Sequence, residues 1–382
     1  MGDQLARVAL TVLVYARTNS ALLAAVTFTA SVIPVFLGGV TLAGLADRFP
    51  RRGVMVACDV LRCALVLVMV LPGMPVAALV ALLFAVTLVG APFSAARASL
   101  YADVLPGERY VTGQAVTLTT SQFAQVLGFG VGGAAVGFLG TRTSLAVDAA
   151  TFALSALVVR AWVRHRPAPG RADAGAGGRQ QGSFGKRGRF GGAARLVLGT
   201  SALRLPMFFG WLAAFYNAPE GVAAPLARDL SGGPAAVGVI LAAQVLGESA
   251  GMLVVGRFVP ASARRRLMGP LAVATCAVLC LLPLMRSVGA AVPVLVASGA
   301  FGAYQLAASA EFVRAVPADV RGTAFGLAQG GMSLGQGVVM IAAGAAAGSF
   351  APAAVIAVTG AAGAVCAAAI AVAWARSHAG DA

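Results

Sequence analysis

Apolar residues run through this chain in long blocks, near 4–17, 20–45, 54–71, 75–93, 112–139, 144–163, 205–226, 235–256, 268–285, 290–312, 324–348 and 352–375, parted by short polar or basic segments. A helix that crosses a bilayer needs about 20 apolar residues and satisfies its own backbone, so the blocks predict about 12 transmembrane helices. Pro34, Pro219, Pro225, Pro283 and Pro293 fall within or beside these blocks. They are expected to kink helices, since neighbouring helices compensate the carbonyls that proline frees. The first block is short: Leu5 to Ala16 gives about 12 apolar positions and about 18 Å of helix against a hydrocarbon core of about 30 Å. Met1-Gly2-Asp3 lacks the basic start of a signal peptide. The expectation is a first helix that lacks roughly ten residues upstream, by comparison with the length a span requires.

Composition strengthens the membrane assignment. Hydrophobic residues make up 59% of the 382 and charged residues 11%, where a soluble domain carries about a quarter charged. A net charge of +15 would fit nucleic acid on a soluble basic face, but here the arginines separate apolar blocks, which excludes that partner. Placing the loop over 46–53 in the cytoplasm puts most of the 28 lysines and arginines there, and leaves Arg17, Arg142, Arg228 and Arg286 outside. By the positive-inside rule both termini and the central loop are cytoplasmic, which for a bacterial chain means the inner membrane.

The chain also divides in two. Residues 164–195 are rich in Gly, Ala, Arg and Gln with no apolar periodicity, the composition of a flexible linker. The predicted organisation is a six-helix bundle over 1–164, a cytoplasmic linker over 165–202 and a second six-helix bundle over 203–382. The halves echo each other. Asp47-Arg48-Phe49-Pro50-Arg51-Arg52 returns about 209 residues later as Gly256-Arg257-Phe258-Val259-Pro260 before Arg264-Arg265-Arg266, and Val104-Leu105-Pro106-Gly107-Glu108-Arg109 returns at nearly the same spacing as Val316-Pro317-Ala318-Asp319-Val320-Arg321. Internal repeats of this kind build transporter folds.

Gly44-Leu45-Ala46-Asp47-Arg48-Phe49-Pro50-Arg51-Arg52 resembles the signature loop between helices two and three of the major facilitator superfamily. The text around it, with the stretches at 59–66, 147–160 and 321–328, resembles the drug-exporter branch that includes the enterobactin exporter and macrolide efflux pumps. Pro50 stands where the family usually has Gly, and the opening glycine falls one place late at Gly44. The resemblance covers the whole chain. It implies an all-α integral membrane protein of the major facilitator fold, with two six-helix bundles that rock about a midplane site. It also implies a cytoplasmic latch: Asp47 against the amino-terminal end of helix eleven near Gly322, a carboxylate position that contributes up to about 2 kcal/mol, with Arg48, Arg51 and Arg52 pairing across the loop. Gly128, Gly132 and Gly133, in the run Gly128-Phe129-Gly130-Val131-Gly132-Gly133, resemble the glycine-rich motif of exporters, where helices need close contact.

Ionisable residues inside the membrane cost about 2.5 to 3.5 kcal/mol each and are functional candidates for that reason. Asp3 with Arg7, four apart, and Asp59 with Arg62, three apart, share helix faces and can pair locally, as can Glu311 with Arg314. Glu248 and Glu220 have no such neighbour, so they are candidates for a group that binds and releases a transported proton. Asp3 and Asp148 are further candidates.

Nothing in the chain carries catalysis. His165 and His378 lie in polar segments, the five cysteines sit in apolar blocks, and no metal-ligand spacing or P-loop is present. No enzyme activity, metal or cofactor is expected. The expected function is secondary active transport by a monomer in the lipid bilayer: proton-coupled efflux of amphipathic small molecules, suited to an interior of Ala, Gly, Val, Leu and Phe. An importer of a small solute, or a non-transporting receptor or structural protein of the same fold, are the alternatives.

Overall fold

Helix boundaries in the computed structural model follow the hydropathy blocks. The structure describes residues 2–42, 49–104, 108–163, 195–317 and 321–378, and among these all regular structure is helical. The first half holds α1 (Gly2–Thr18), α2 (Ala21–Thr29), α3 (Ile33–Thr41), α4 (Arg51–Val70), α5 (Val76–Val104) and α6 (Glu108–Trp162). Two spans are contained in α6, because Gly140 leaves the helix at φ 78° and ψ 165°, a conformation glycine adopts without steric cost. Conversely, α2 and α3 are one apolar block, interrupted at 30–32 and restarted with Pro34 in the first turn of α3.

The second half holds α7 (Ser201–Trp211), α8 (Ala213–Tyr216), α9 (Ala218–Gly221), α10 (Ala223–Asp229), α11 (Pro234–Phe258), α12 (Ala261–Ala277), a 3-10 segment over Val278–Leu284, α13 (Val288–Phe301), α14 (Tyr304–Ala315), α15 (Arg321–Ala346) and α16 (Pro352–His378). Proline acts more strongly than the sequence reading expected. Pro293 stays within α13, but the block from 201 to 229 is four short helices, with Pro219 opening α9 and Pro225 inside α10. Each proline removes a donor and crowds the preceding turn, so the ladder stops and restarts. Eight stretches among the described residues are long and apolar enough to cross a membrane, and one of them, Thr120–Trp162, runs through the turn at Gly140.

Connections on the predicted outer face are tight. Asn19 (φ 50°), Gly73 (φ 81°), Gly140 and Ser231 (φ 57°) turn the chain in left-handed conformations between successive spans. On the opposite face the repeated loops end alike: Pro50 is the N-cap of α4 and Pro260 the N-cap of α12, both extended.

The chain forms two compact units, one of Met1–Asn19 with Val26–Gly182, the other of Ser20–Ala25 with Ser183–Ala382. In the first, Leu10, Leu79, Leu83, Phe129 and Leu145 are fully buried, and α1 lies so close to α6 that a Cβ on Gly132 would stand 3.3 Å from the Leu5 Cα. In the second, α11 and α13 share a seam of small residues. A Cβ on Gly247 would lie 2.0 Å from the Val296 carbonyl oxygen, one on Gly251 2.2 Å from that of Ala300, and one on Gly299 2.1 Å from that of Gln244. Lipid tails are as apolar as leucine, so such close backbone contact, and not exclusion from water, holds spanning helices together. Large apolar side chains face outward as well. Phe138, beside the outer turn, is 87% exposed, and Trp162, at the other end of the limb over 141–162, is 85% exposed.

Candidate functional site

A cavity of about 390 Å³ opens in the second unit among α7, α14 and α15. Met207, Gly210 and Trp211 line it from α7, Gln305, Ser309 and Phe312 from α14, and Phe325, Gln329 and Met332 from α15. Its lining contains no charged side chain. Phe312 and Phe325 meet edge to face at 5.5 Å, and Phe208 packs beside Trp211 at 5.4 Å, a geometry aromatic pairs prefer.

The break after α7 builds this site. Interrupting a helix leaves carbonyls without intrahelical donors, and in a membrane the protein must supply them. The Tyr304 hydroxyl donates to the Phe209 carbonyl at 2.9 Å. Gln305 Nε2 donates to the Gly210 carbonyl at 3.3 Å and to the Tyr216 hydroxyl at 3.2 Å. Gln244 Nε2 donates to the Tyr216 carbonyl at 2.9 Å and to Asn217 Oδ1 at 2.8 Å. Trp211 Nε1 donates to the Ala328 carbonyl at 2.9 Å, its ring lying where a Cβ on Gly331 would otherwise stand. The interrupted span is thus held by side chains from α11 and α14, and Trp211 ties its first piece to the backbone of α15.

Sequence reasoning missed these residues. It expected an interior of Ala, Gly, Val, Leu and Phe; the lining has Phe312 and Phe325 but adds Trp211, the amides of Gln305 and Gln329, and the thioethers of Met207 and Met332. A Tyr-Gln pair next to Gly302, where α13 gives way to α14, is the signal that could have found it.

Among the predicted proton-binding residues, Glu220 lies on the short α9 and Glu248 on α11, inside the glycine seam. Neither lines the cavity. The other two acids meet in the first unit. Arg62 on α4 forms its shortest ion pair with Asp3 on α1, and its second, at 4.0 Å, with Asp59. Here the expected local pairing is only half of the arrangement, because α1 and α4 both pack against α6, which brings Asp3 to Arg62. Arg7 donates to Gln4 Oε1 at 3.3 Å and to the Ser31 carbonyl at 3.1 Å. Asp59 accepts from the Ser155 hydroxyl at 2.6 Å, and Arg62 lies over the Phe152 ring, 4.3 Å from its centroid. Asp148 is fully buried, with neither carboxyl oxygen hydrogen-bonded. Glu311 and Arg314 form a local pair at 3.1 Å.

Of the predicted latch, Asp47 and Arg48 lie outside the described residues, and Gly322 is in the first turn of α15. Arg51 donates to the Ser99 carbonyl at 3.0 Å and Arg52 to the Arg160 carbonyl. Both carbonyls lie near the carboxyl ends of α5 and α6, where a cation is favoured. In the echo of this loop, Arg264 turns back instead to the carbonyls of Val259 and Gly256, at 2.6 and 3.0 Å. Gly128, Gly132 and Gly133 are all buried in α6.

Comparison with known proteins decides the family. A single family model, described as Major Facilitator Superfamily, matches residues 1–222 and again 221–381. The chain belongs to the Major Facilitator Superfamily. This superfamily member is accordingly an all-α, multi-pass membrane protein with a transporter fold. No curated protein matches it. Solved structures share the fold at low identity. A bacterial homologue of the human lysosomal transporter Spinster, inward-facing and occupied, is 16% identical, with a TM-score of 0.63 over 99% of this chain and 92% of that one. The nucleoside transporter NupG is 14% identical, with a TM-score of 0.72 over 97% of each chain. The POT family transporter PepTSo is 13% identical, with a TM-score of 0.70 over 99% of this chain and 96% of that one.

Proposed function

We propose that this protein exports amphipathic small molecules across the cytoplasmic membrane in exchange for protons. The observation that carries the reading is the uncharged cavity of the second unit, where Trp211, Phe312 and Phe325 offer ring faces and Gln305, Gln329 and Ser309 offer a few polar contacts. A pocket of that kind binds apolar bodies with sparse hydrogen-bonding groups and gives no counter-charge to a strongly ionic nutrient. It stands beside an interrupted helix, as substrate sites in transporters of repeated architecture do. Asp47, Arg48, Arg51, Arg52 and the Gly322 end of α15 form the proposed cytoplasmic latch. Glu248, Glu220, Asp3 and Asp148 are the acids among which the coupled proton is carried.

The test is accumulation of a panel of macrolides, other antibiotics and siderophores in cells with and without the protein, each with and without a protonophore. Lower accumulation that the protonophore abolishes supports the reading. Equal accumulation across the panel overturns it. A second reading, uptake of a small neutral solute, has one observation in its favour: the amides of Gln305 and Gln329 share a cavity with aromatic rings. It predicts higher accumulation of such a solute in cells that carry the protein.

A further inference from the structure

Five ionisable side chains gather where α1, α4 and the second limb of α6 meet: Asp3, Arg7, Asp59, Arg62 and Asp148. From Arg51 to Arg62 and from Trp162 back to Asp148 the helices rise about 17 and about 21 Å, which puts the group deep within a hydrocarbon core of about 30 Å. Charge at that depth must be balanced or neutralised.

The groups are not equivalent. Arg62, 7% exposed, binds Asp3 and lies 4.0 Å from Asp59. Asp59 has the Ser155 hydroxyl as well. Arg7 acts on Asp3 electrostatically and is held by Gln4 and the Ser31 carbonyl. Asp148 takes part in none of the ion pairs among the described residues. Its side chain is 0% exposed and neither oxygen has a hydrogen-bond partner, while the Thr151 hydroxyl beside it donates to the backbone carbonyl of Asp148 at 2.8 Å. From α5 the neighbour is Gly90, whose Cβ would stand 3.3 Å from an Arg62 nitrogen; the ionisable residues of that helix, Arg97, Tyr101 and Asp103, lie further along it. Cys58 and Cys63 complete the titratable groups of α4 nearby.

Two guanidinium groups against three carboxylates leave one negative charge over, and the carboxyl without partners is the one that should not hold it. We propose that the cluster is a single-proton site: Asp148 carries the proton, and Arg62 is the group whose pairing reports its loss. With the proton bound, Asp148 is neutral, Asp3 and Asp59 share Arg62, and the five groups sum to zero. When the O–H bond of Asp148 breaks, its proton passes to water at the half-exposed Asp3 side of the cluster, and the new carboxylate competes with Asp3 for the Arg62 guanidinium. Because these residues lie on three helices, α1, α4 and α6, the exchange changes how tightly α1 is held. This deepens the exporter reading by choosing one of its four acids, and rests on that reading only for the link to transport.

The site itself is testable without a substrate. Purified protein is titrated in detergent while the infrared stretch of protonated carboxyl groups and proton release to a soluble dye are followed. The expected result is one carboxyl band that is lost in Asp148→Asn, shifted in Asp148→Glu and retained in Glu248→Gln, with one fewer proton released by Asp148→Asn. A band unchanged in Asp148→Asn overturns the proposal. So does a band that sodium, not alkali, removes, since that would make the site a cation site. In vesicles, Asp148→Asn should still exchange radiolabelled erythromycin across the membrane but lose its accumulation against a gradient by at least tenfold. If wild-type protein moves no erythromycin, the exporter reading loses support while the titration still decides the proton site. If Asp148→Asn proves unstable, Asp148→Glu carries the same test through its shifted band.

Discussion

The indole of Trp211 occupies the space a side chain on Gly331 would need: a Cβ there would lie 2.2 Å from the ring's Cζ2. Trp211 also binds the Ala328 carbonyl on the same helix, so the ring is fixed on α15 at two points and forms one wall of the cavity. Gly331→Ala should therefore push the indole out of its seat. The expected outcome is normal protein in the membrane, a shift in intrinsic fluorescence from one of the three tryptophans, and a fall in transport of aromatic substrates of tenfold or more. Unchanged transport kinetics would show that the wall is not part of the path.

Tyr304→Phe removes a single donor from the interrupted span and leaves the Phe209 carbonyl without it. The carbonyl keeps the Leu212 N–H at 3.3 Å, so the loss is that of one hydrogen bond, about 0.5–1.5 kcal/mol. Thermal unfolding in detergent should move to lower temperature, and Gln305→Ala should do the same while also altering substrate affinity. A Tyr304→Phe protein that melts at the wild-type temperature would mean that the Leu212 N–H alone satisfies the carbonyl.

Gly251→Leu should prevent folding, because the side chain would have to enter the backbone of α13 at Ala300. Gly326→Ala is the matched control: its Cβ meets nothing within 4 Å, and exchanging glycine for alanine inside a helix gains up to about 1 kcal/mol. Size-exclusion profiles of the two variants check both statements, and comparable profiles would show that the seam tolerates volume.

Asp47→Asn tests the proposed latch: the proposal expects reduced transport with an unchanged amount of protein, since a carboxylate at a helix amino terminus contributes at most about 2 kcal/mol. Arg52→Ala, which frees the carboxyl end of α6 at Arg160, should lower thermal stability as well. Flux assays paired with melting curves separate these two effects.

Much of the architecture was legible because the bilayer imposes it. Block lengths and the echo of Arg48-Phe49-Pro50 in Arg257-Phe258-Val259-Pro260 give the spans and the doubling. What could not be read depended on partners distant in the chain. Asp3 has Arg7 four residues away, and local spacing favours that pair; only the packing of α1 brings it to Arg62, 59 positions on. Likewise Tyr304 and Gln305 look like ordinary members of an apolar span until the breaks around Leu212 and Asn217 expose carbonyls for them to bind. The extent of those breaks was also hidden, because a proline in a membrane helix is compatible with either a bend or a stop.

The limb that begins after Gly140 and ends at Trp162 has a use beyond packing. Its rise is about 33 Å, close to the thickness of a hydrocarbon core, and its ends are marked by two outward-facing aromatics, Phe138 beside the turn and Trp162 at the far terminus. Aromatic rings of this kind settle at the headgroup level. The protein thus carries its own depth gauge, with Trp162 at the lower mark and an emission that lipids brominated at successive acyl positions would quench to different degrees.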